Sequence, residues 1–157
     1  MQTFGIRAAL PADAPVIAAN NAAMALETEG ITLAPERAAA GVASCLADPA
    51  KGFYLLASDP ISGEVVGQLL VTFEWSDWRC GVFWWVQSVY VAPAHRRRGI
   101  YRALYAEVLA RAEGDPGVVG VRLYVHRDNA TAQATYLSLG MEEAPYRLFE
   151  VDFVVSR

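Results

Sequence analysis

The clearest periodic signal in the chain runs from Gly99 to Gly114. Ile100, Tyr101, Leu104, Tyr105, Val108, Leu109 and Ala112 repeat at helical spacing and form one continuous apolar stripe. Two further helices are predicted near the N-terminus. One follows Asp13, whose side-chain oxygen suits a helix N-cap, and ends at Glu29-Gly30. The other runs from Pro35 to Leu46, opening on a first-turn proline and closing at Asp48-Pro49. Strand patterns surround them. Thr3–Ala9 reads as a short strand, and Phe53–Ala57 and Glu64–Trp75 as an antiparallel hairpin about the turn Asp59–Gly63. Val82–Val91 is apolar nearly throughout, as a strand covered on both faces must be, and the polar pair Gln87-Ser88 marks a bulge within it. Val118–Val125 alternates, with Val119, Val121, Leu123 and Val125 on one face. Asn129–Leu139 is a short helix capped by Asp128 or Asn129 and stopped by Gly140, and Tyr146–Val155 supplies a last strand. The order β-α-α-β-β-β-α-β-α-β excludes all-α and all-β classes. It predicts one α/β domain over residues 1–157, a mixed and mostly antiparallel sheet flanked by helices.

Composition narrows the setting. With 157 residues, 54% of them apolar, the chain has material for one packed core and falls outside the disordered class. Thirteen basic against seventeen acidic residues give a net charge of −4, which argues against nucleic acid or an anionic membrane as a partner. Two cysteines without motif spacing point to a reducing, cytoplasmic setting. No apolar run approaches the roughly 18 residues of a membrane span, and the N-terminus lacks signal-peptide architecture. His95 and His126 lack the partner spacing of a zinc site, so no metal is expected.

Chemistry concentrates where the apolar strand runs into Ala92-Pro93-Ala94-His95-Arg96-Arg97-Arg98-Gly99-Ile100-Tyr101. A helix start leaves backbone N–H groups unpaired and carries positive potential, adjacent arginines add to it, and Gly99 permits close approach of an anion. The stretch Arg96–Tyr101 resembles the acyl-CoA pyrophosphate loop of the GNAT superfamily of N-acetyltransferases, Gln/Arg-x-x-Gly-x-Gly/Ala. Asn129–Met141 is similar to that family's second signature, an Asn followed seven residues later by Tyr, here Tyr136, and a Gly-Phe-like ending. The element order matches the family fold over essentially the whole chain.

The resemblance implies acetyl-CoA as co-substrate, a primary amine as acceptor, and direct attack of the amine on the thioester in a ternary complex. It places the pantetheine amides on the backbone of Val89, Tyr90 and Val91. The pyrophosphate falls on the loop of Arg96, Arg97, Arg98, Gly99, Ile100, Tyr101 and Arg102. Asn129 would bond the pantetheine arm, and Tyr136 would stand beside the sulfur as general acid. The chain departs from the pattern at Tyr101, where the family carries Gly or Ala. Its ring must rotate into the core or lie alongside the cofactor, and its place in the apolar stripe favours the core.

Glu74 is either a solvated acid at a strand end or the base that takes the ammonium's proton. The aromatic cluster Phe73–Trp85 either packs the hairpin or walls the acceptor pocket, with Trp84 and Trp85 on opposite faces. A catalytically idle acyl-CoA-binding or interaction module on the same fold is the competing reading. The acceptor is a small molecule or a peptide, and Tyr146–Val155 offers an edge through which two copies can pair.

Overall fold

A computed structural model describes residues 4–154. Five strands lie in the order of the sequence: β1 (Gly5–Ala8), β2 (Phe53–Ser58), β3 (Val65–Ser76), β4 (Gly81–Val91) and β5 (Val118–Arg122). The first four pair antiparallel, and β5 runs parallel to β4. Among the described residues four α-helices accompany them: α1 (Ala14–Glu29), α2 (Pro35–Ala47), α3 (Ile100–Glu113) and α4 (Ala130–Ser138). The described residues divide into two compact units, the first ending at Leu123 and the second beginning at Tyr124.

In the first unit the sheet separates two cores. On one face Leu55, Leu69, Val71, Trp84 and Val86 pack with Ile100, Leu104 and Val108 of α3, the stripe that the helical spacing predicts. On the other face Tyr54, Leu56 and Leu70 pack with Ile17 of α1 and Val42 and Cys45 of α2. At Gly67 a Cβ would stand 2.6 Å from Ile100 Cγ2, so its absence is what seats the first residue of α3 against the sheet.

Gln68 is fully buried on the α1 face. Its carbonyl accepts from Asn20 Nδ2 at 2.9 Å and its amide donates to Asn21 Oδ1 at 2.8 Å. Two consecutive α1 side chains thus satisfy both ends of one buried amide, as burial of a polar group requires.

Four details differ from the sequence expectations. Asp13 precedes α1, but its carboxylate receives Arg7 and the Leu10 N–H in place of the helix N–H groups. The β5 strand stops at Arg122. Its register slips near Val119, with Val118 opposite Val82 and Gly120 opposite Phe83, so Val118 joins Val121 and Leu123 against the core in place of Val119. In the second unit Tyr146–Val154 forms no strand among the described residues, and its apolar side chains Tyr146, Leu148, Phe149, Val151 and Phe153 are exposed. Alternation supplies a strand pattern, but a strand forms only with a hydrogen-bonding neighbour. Thr3, predicted to start β1, and Val155, predicted to end the last strand, lie outside the described residues.

Candidate active site at the end of the central strand

The predicted bulge falls at the predicted place. Gln68 pairs with Tyr90 but Leu70 pairs with Gln87, so Leu69 alone faces Ser88 and Val89, and Ser88 takes a left-handed φ of +49°. Beyond it the strand changes surroundings. β5 pairs with β4 only from Val82 to Trp85, leaving the outer edge of β4 from Val86 to Val91 without a strand partner among the described residues. An open edge presents N–H and C=O groups at strand spacing to any extended chain carrying amides.

The strand then leads through a short 3-10 turn, Pro93–His95, into a loop with two left-handed residues, Arg97 (φ +63°) and Gly99 (φ +82°). The first bond of α3 runs from Ala103 N–H to Gly99 O at 3.0 Å. The N–H groups of the helix's first turn therefore precede its ladder and point out along the axis. A Cβ at Gly99 would meet nothing within 4 Å, so the space in front of this helix end is open. Arg97, Arg98 and Arg102 are exposed around it. Tyr101 packs against the α3 core and stacks on Tyr105 with ring centroids 6.0 Å apart, so its ring leaves the loop clear. These residues fit an acyl-CoA: an edge for amides, and a helix end with arginines for a pyrophosphate.

Arg96 takes a different place. Its guanidinium grips Glu27 at the end of α1 with two bonds of 2.6 and 2.8 Å, and its Nε donates to Val91 O at 3.0 Å. The hydrogen bond from Arg96 holds the Glu27 carboxyl below its ordinary pKa, and Glu27 raises that of Arg96. Arg96 thus braces the loop against α1 and takes one of the two lone pairs of the Val91 carbonyl. On the other side of the loop Asp59 accepts the N–H groups of Ser62 and Ile61, which lower its pKa, and lies 4.0 Å from His95 Nε2.

Glu74 stands on the α1 face of the sheet, in register with Phe83. One of its oxygens meets Arg122 Nη1 at 2.9 Å and the other accepts Trp85 Nε1–H at 2.5 Å. Trp84 points to the opposite face, edge-on to Phe53 at 5.1 Å, so the two neighbouring tryptophans divide as strand alternation requires. Core packing thus accounts for Trp84, whereas Trp75 and Trp78 are 62% and 86% exposed. Nearer the bulge, Gln87 Nε2 donates to Thr72 Oγ1.

Neither the Arg122 contact nor the Gln68 amide pair is legible in the sequence. Strand register, visible only once the sheet is assembled, creates both.

In the second unit, Asn129 caps α4 by accepting the Ala132 N–H at 3.0 Å, and Gly140 follows with a left-handed φ of +85°. Tyr136 is half-buried on this helix, and burial pushes its phenol pKa up. His126 stands 3.7 Å from Asp128 on an exposed turn. Among the described residues no group of three or more His, Cys, Asp or Glu side chains could hold a metal, and no helix is long and apolar enough to cross a membrane.

Comparison with known proteins shows the fold and the family. A crystal structure of a possible acetyltransferase from Clostridium difficile 630 superposes with a TM-score of 0.88 and 40% identity, over 97% of this chain and 99% of that one. A ribosomal-protein-alanine N-acetyltransferase from Brucella melitensis shares the fold, with a TM-score of 0.76 at 20% identity over 97% of this chain and 100% of that one. A mycothiol acetyltransferase of Tsukamurella paurometabola is 37% identical over 134 residues, 83% of this chain and 45% of that protein. The chain therefore spans less than half the length of the curated relatives it matches. The Acetyltransferase (GNAT) family profile matches residues 18–141, most of the chain and nearly every element described above, and the chain belongs to that family.

Proposed function

We propose that this chain transfers an acetyl group from acetyl-CoA to a primary amine, by direct attack within a ternary complex. The observation that carries the reading is the coincidence, at one strand end, of an open β4 edge and an accessible α3 N-terminus. Val89, Tyr90 and Val91 would align the pantetheine, and the loop Arg97–Arg102 would hold the pyrophosphate. Backbone N–H groups near the bulge would polarise the thioester carbonyl, where charge develops during acyl transfer.

Holding both substrates in reacting geometry removes much of the entropic barrier. An alkyl ammonium with a pKa of about 10.4 must still lose its proton, and the thiolate must gain one. Tyr136 is assigned the second task. Its phenol carries a proton at neutral pH, and burial, which raises its pKa, makes it a hydrogen-bond donor to the thiolate more than a ready acid. Glu74 fits the first task less well, since Arg122 and Trp85 engage both of its oxygens.

Acetyl-CoA should raise the melting temperature, and a panel of primary amines should release free coenzyme A thiol only with enzyme present. Binding without thiol release across the whole panel would favour the idle acyl-CoA-binding module.

A further inference from the structure

At the start of β4, on the α1 face, four side chains, flanked by Arg79, build a site that acetyl transfer alone does not require. Phe83 is buried, and its ring lies over β5 because residue 120 is glycine; a Cβ there would stand 2.5 Å from Phe83 Cε1. The Arg122 guanidinium lies over that ring, its carbon 3.6 Å from the centroid. Glu74 receives Nη1 of the same guanidinium, and Trp85 fixes the far oxygen of Glu74. Arg79 brings a second guanidinium to 5.0 Å from the same centroid.

This arrangement fixes Arg122 without exhausting it. A guanidinium has five donors in a rigid fork, and Glu74 receives only Nη1. Among the described residues Nε and Nη2 of Arg122 meet no hydrogen-bond partner, while its side chain remains 30% exposed. Two guanidiniums against one carboxylate leave a net positive charge, and a planar fork suits an oxyanion.

The pyrophosphate is not that oxyanion. Phe83 and Val91 are separated by eight residues of β4, about 26 Å of strand. Arg122 itself is in register with Trp85, three residues from Ser88, about 10 Å of strand.

We propose that Arg122, positioned by Glu74 and Phe83, reads an oxyanion on the acceptor, and that the preferred acceptors are amines whose carboxylate or phosphate lies several bonds from the nitrogen. The proposal rests on the acetyl-transfer reading, which puts the reacting amine near the bulge. Glu74 is then a positioning residue for Arg122.

The test compares 6-aminohexanoate with 6-aminohexanamide, 6-aminohexyl phosphate with 6-aminohexanol, and glycine as a short acid. Each is assayed for acetyl transfer and titrated calorimetrically against the enzyme with coenzyme A present. The long acids should exceed their neutral partners roughly tenfold in kcat/KM and in affinity, the scale of one charged hydrogen bond, and glycine should fall behind. The better of the two acids identifies the oxyanion. In Arg122→Gln and Glu74→Gln the ratio of acid to neutral acceptor should fall toward parity. In Arg79→Gln, on an exposed turn, it should fall less.

Equal handling of acids and neutral partners by the parent protein overturns the proposal. So does full discrimination surviving in a folded Arg122→Gln. A kcat loss in Glu74→Gln with discrimination intact would make Glu74 the base and overturn its positioning role. Charge discrimination in calorimetry without transfer to any amine would retain the oxyanion site and refute the acetyl-transfer reading.

Discussion

The two ends of β4 are built from different material. At the C-terminal end the candidate cofactor site is made of backbone: an unpaired strand edge, a bulge, two left-handed loop residues and the first N–H groups of α3. At the N-terminal end the cluster of Glu74, Phe83, Trp85 and Arg122 is made of side chains, drawn from three strands. A backbone site needs few particular side chains, so one departure such as Tyr101 is absorbed by turning the ring into the core. A side-chain site depends on every member, and replacing one changes what it selects. The same strand can therefore hold a co-substrate common to the family at one end and a selective surface at the other.

The largest expected effect concerns the remaining side-chain element, Tyr136. Tyr136→Phe keeps the ring and removes the O–H. Turnover should fall about 10²-fold or more, the range of lost acid catalysis, with acetyl-CoA affinity little changed. Steady-state kinetics beside a binding titration checks this. Undiminished turnover would leave Tyr136 as packing.

Gly99→Val attacks the backbone site directly. A β-branched residue at φ +82° is strained, and its bulk enters the open space before α3. Acetyl-CoA should bind at least about tenfold more weakly, because the free loop relaxes out of the left-handed conformation, restoring it on binding costs on the order of 1–2 kcal/mol, and blocked access adds to that. Unchanged affinity by calorimetry would show that the loop does not cradle the pyrophosphate.

These two positions also show what the sequence makes legible. The bulge at Gln87-Ser88, the glycine before α3 and the α3 stripe are local patterns, and the structure reproduces them. The partners of Glu74 lie 11 and 48 residues away, and those of Gln68 lie 47 and 48. Those contacts follow from strand register and helix docking, which local periodicity does not specify. Arg96 shows the same limit from the opposite direction. Its motif position suggests a phosphate ligand, but Glu27, 69 residues away, claims its guanidinium.

A smaller effect is therefore expected from Glu27→Gln. It releases one brace on the loop and leaves the helix end in place, so KM for acetyl-CoA should rise only a few-fold. Both partners are substantially exposed, and such pairs are worth about 1 kcal/mol or less. An effect as large as that of Gly99→Val would mean that the loop's shape depends on its side chains, and the contrast between the two ends would fail.

The smallest effect is a pH dependence away from both sites. The hydrogen bond from Arg7 holds Asp13 below its ordinary pKa, with help from the Leu10 N–H. A carboxyl depressed on folding stabilises above its unfolded pKa of about 3.9, and that stability is lost as pH falls through the folded value. Asp13→Asn should lower the melting temperature near neutral pH and flatten its decline between about pH 4 and pH 2. An unchanged acid limb would remove this pair from the account of stability.

The most direct test of the central claim is to follow both products of one reaction. With acetyl-CoA and an accepted primary amine, free coenzyme A thiol and N-acetylated amine should appear in equal amounts. Both should depend on enzyme, and at acetyl-CoA concentrations below the parent's KM both should fall together in Gly99→Val. Thiol release without acetylated amine, or transfer that survives loss of the α3 anion site, would contradict the account.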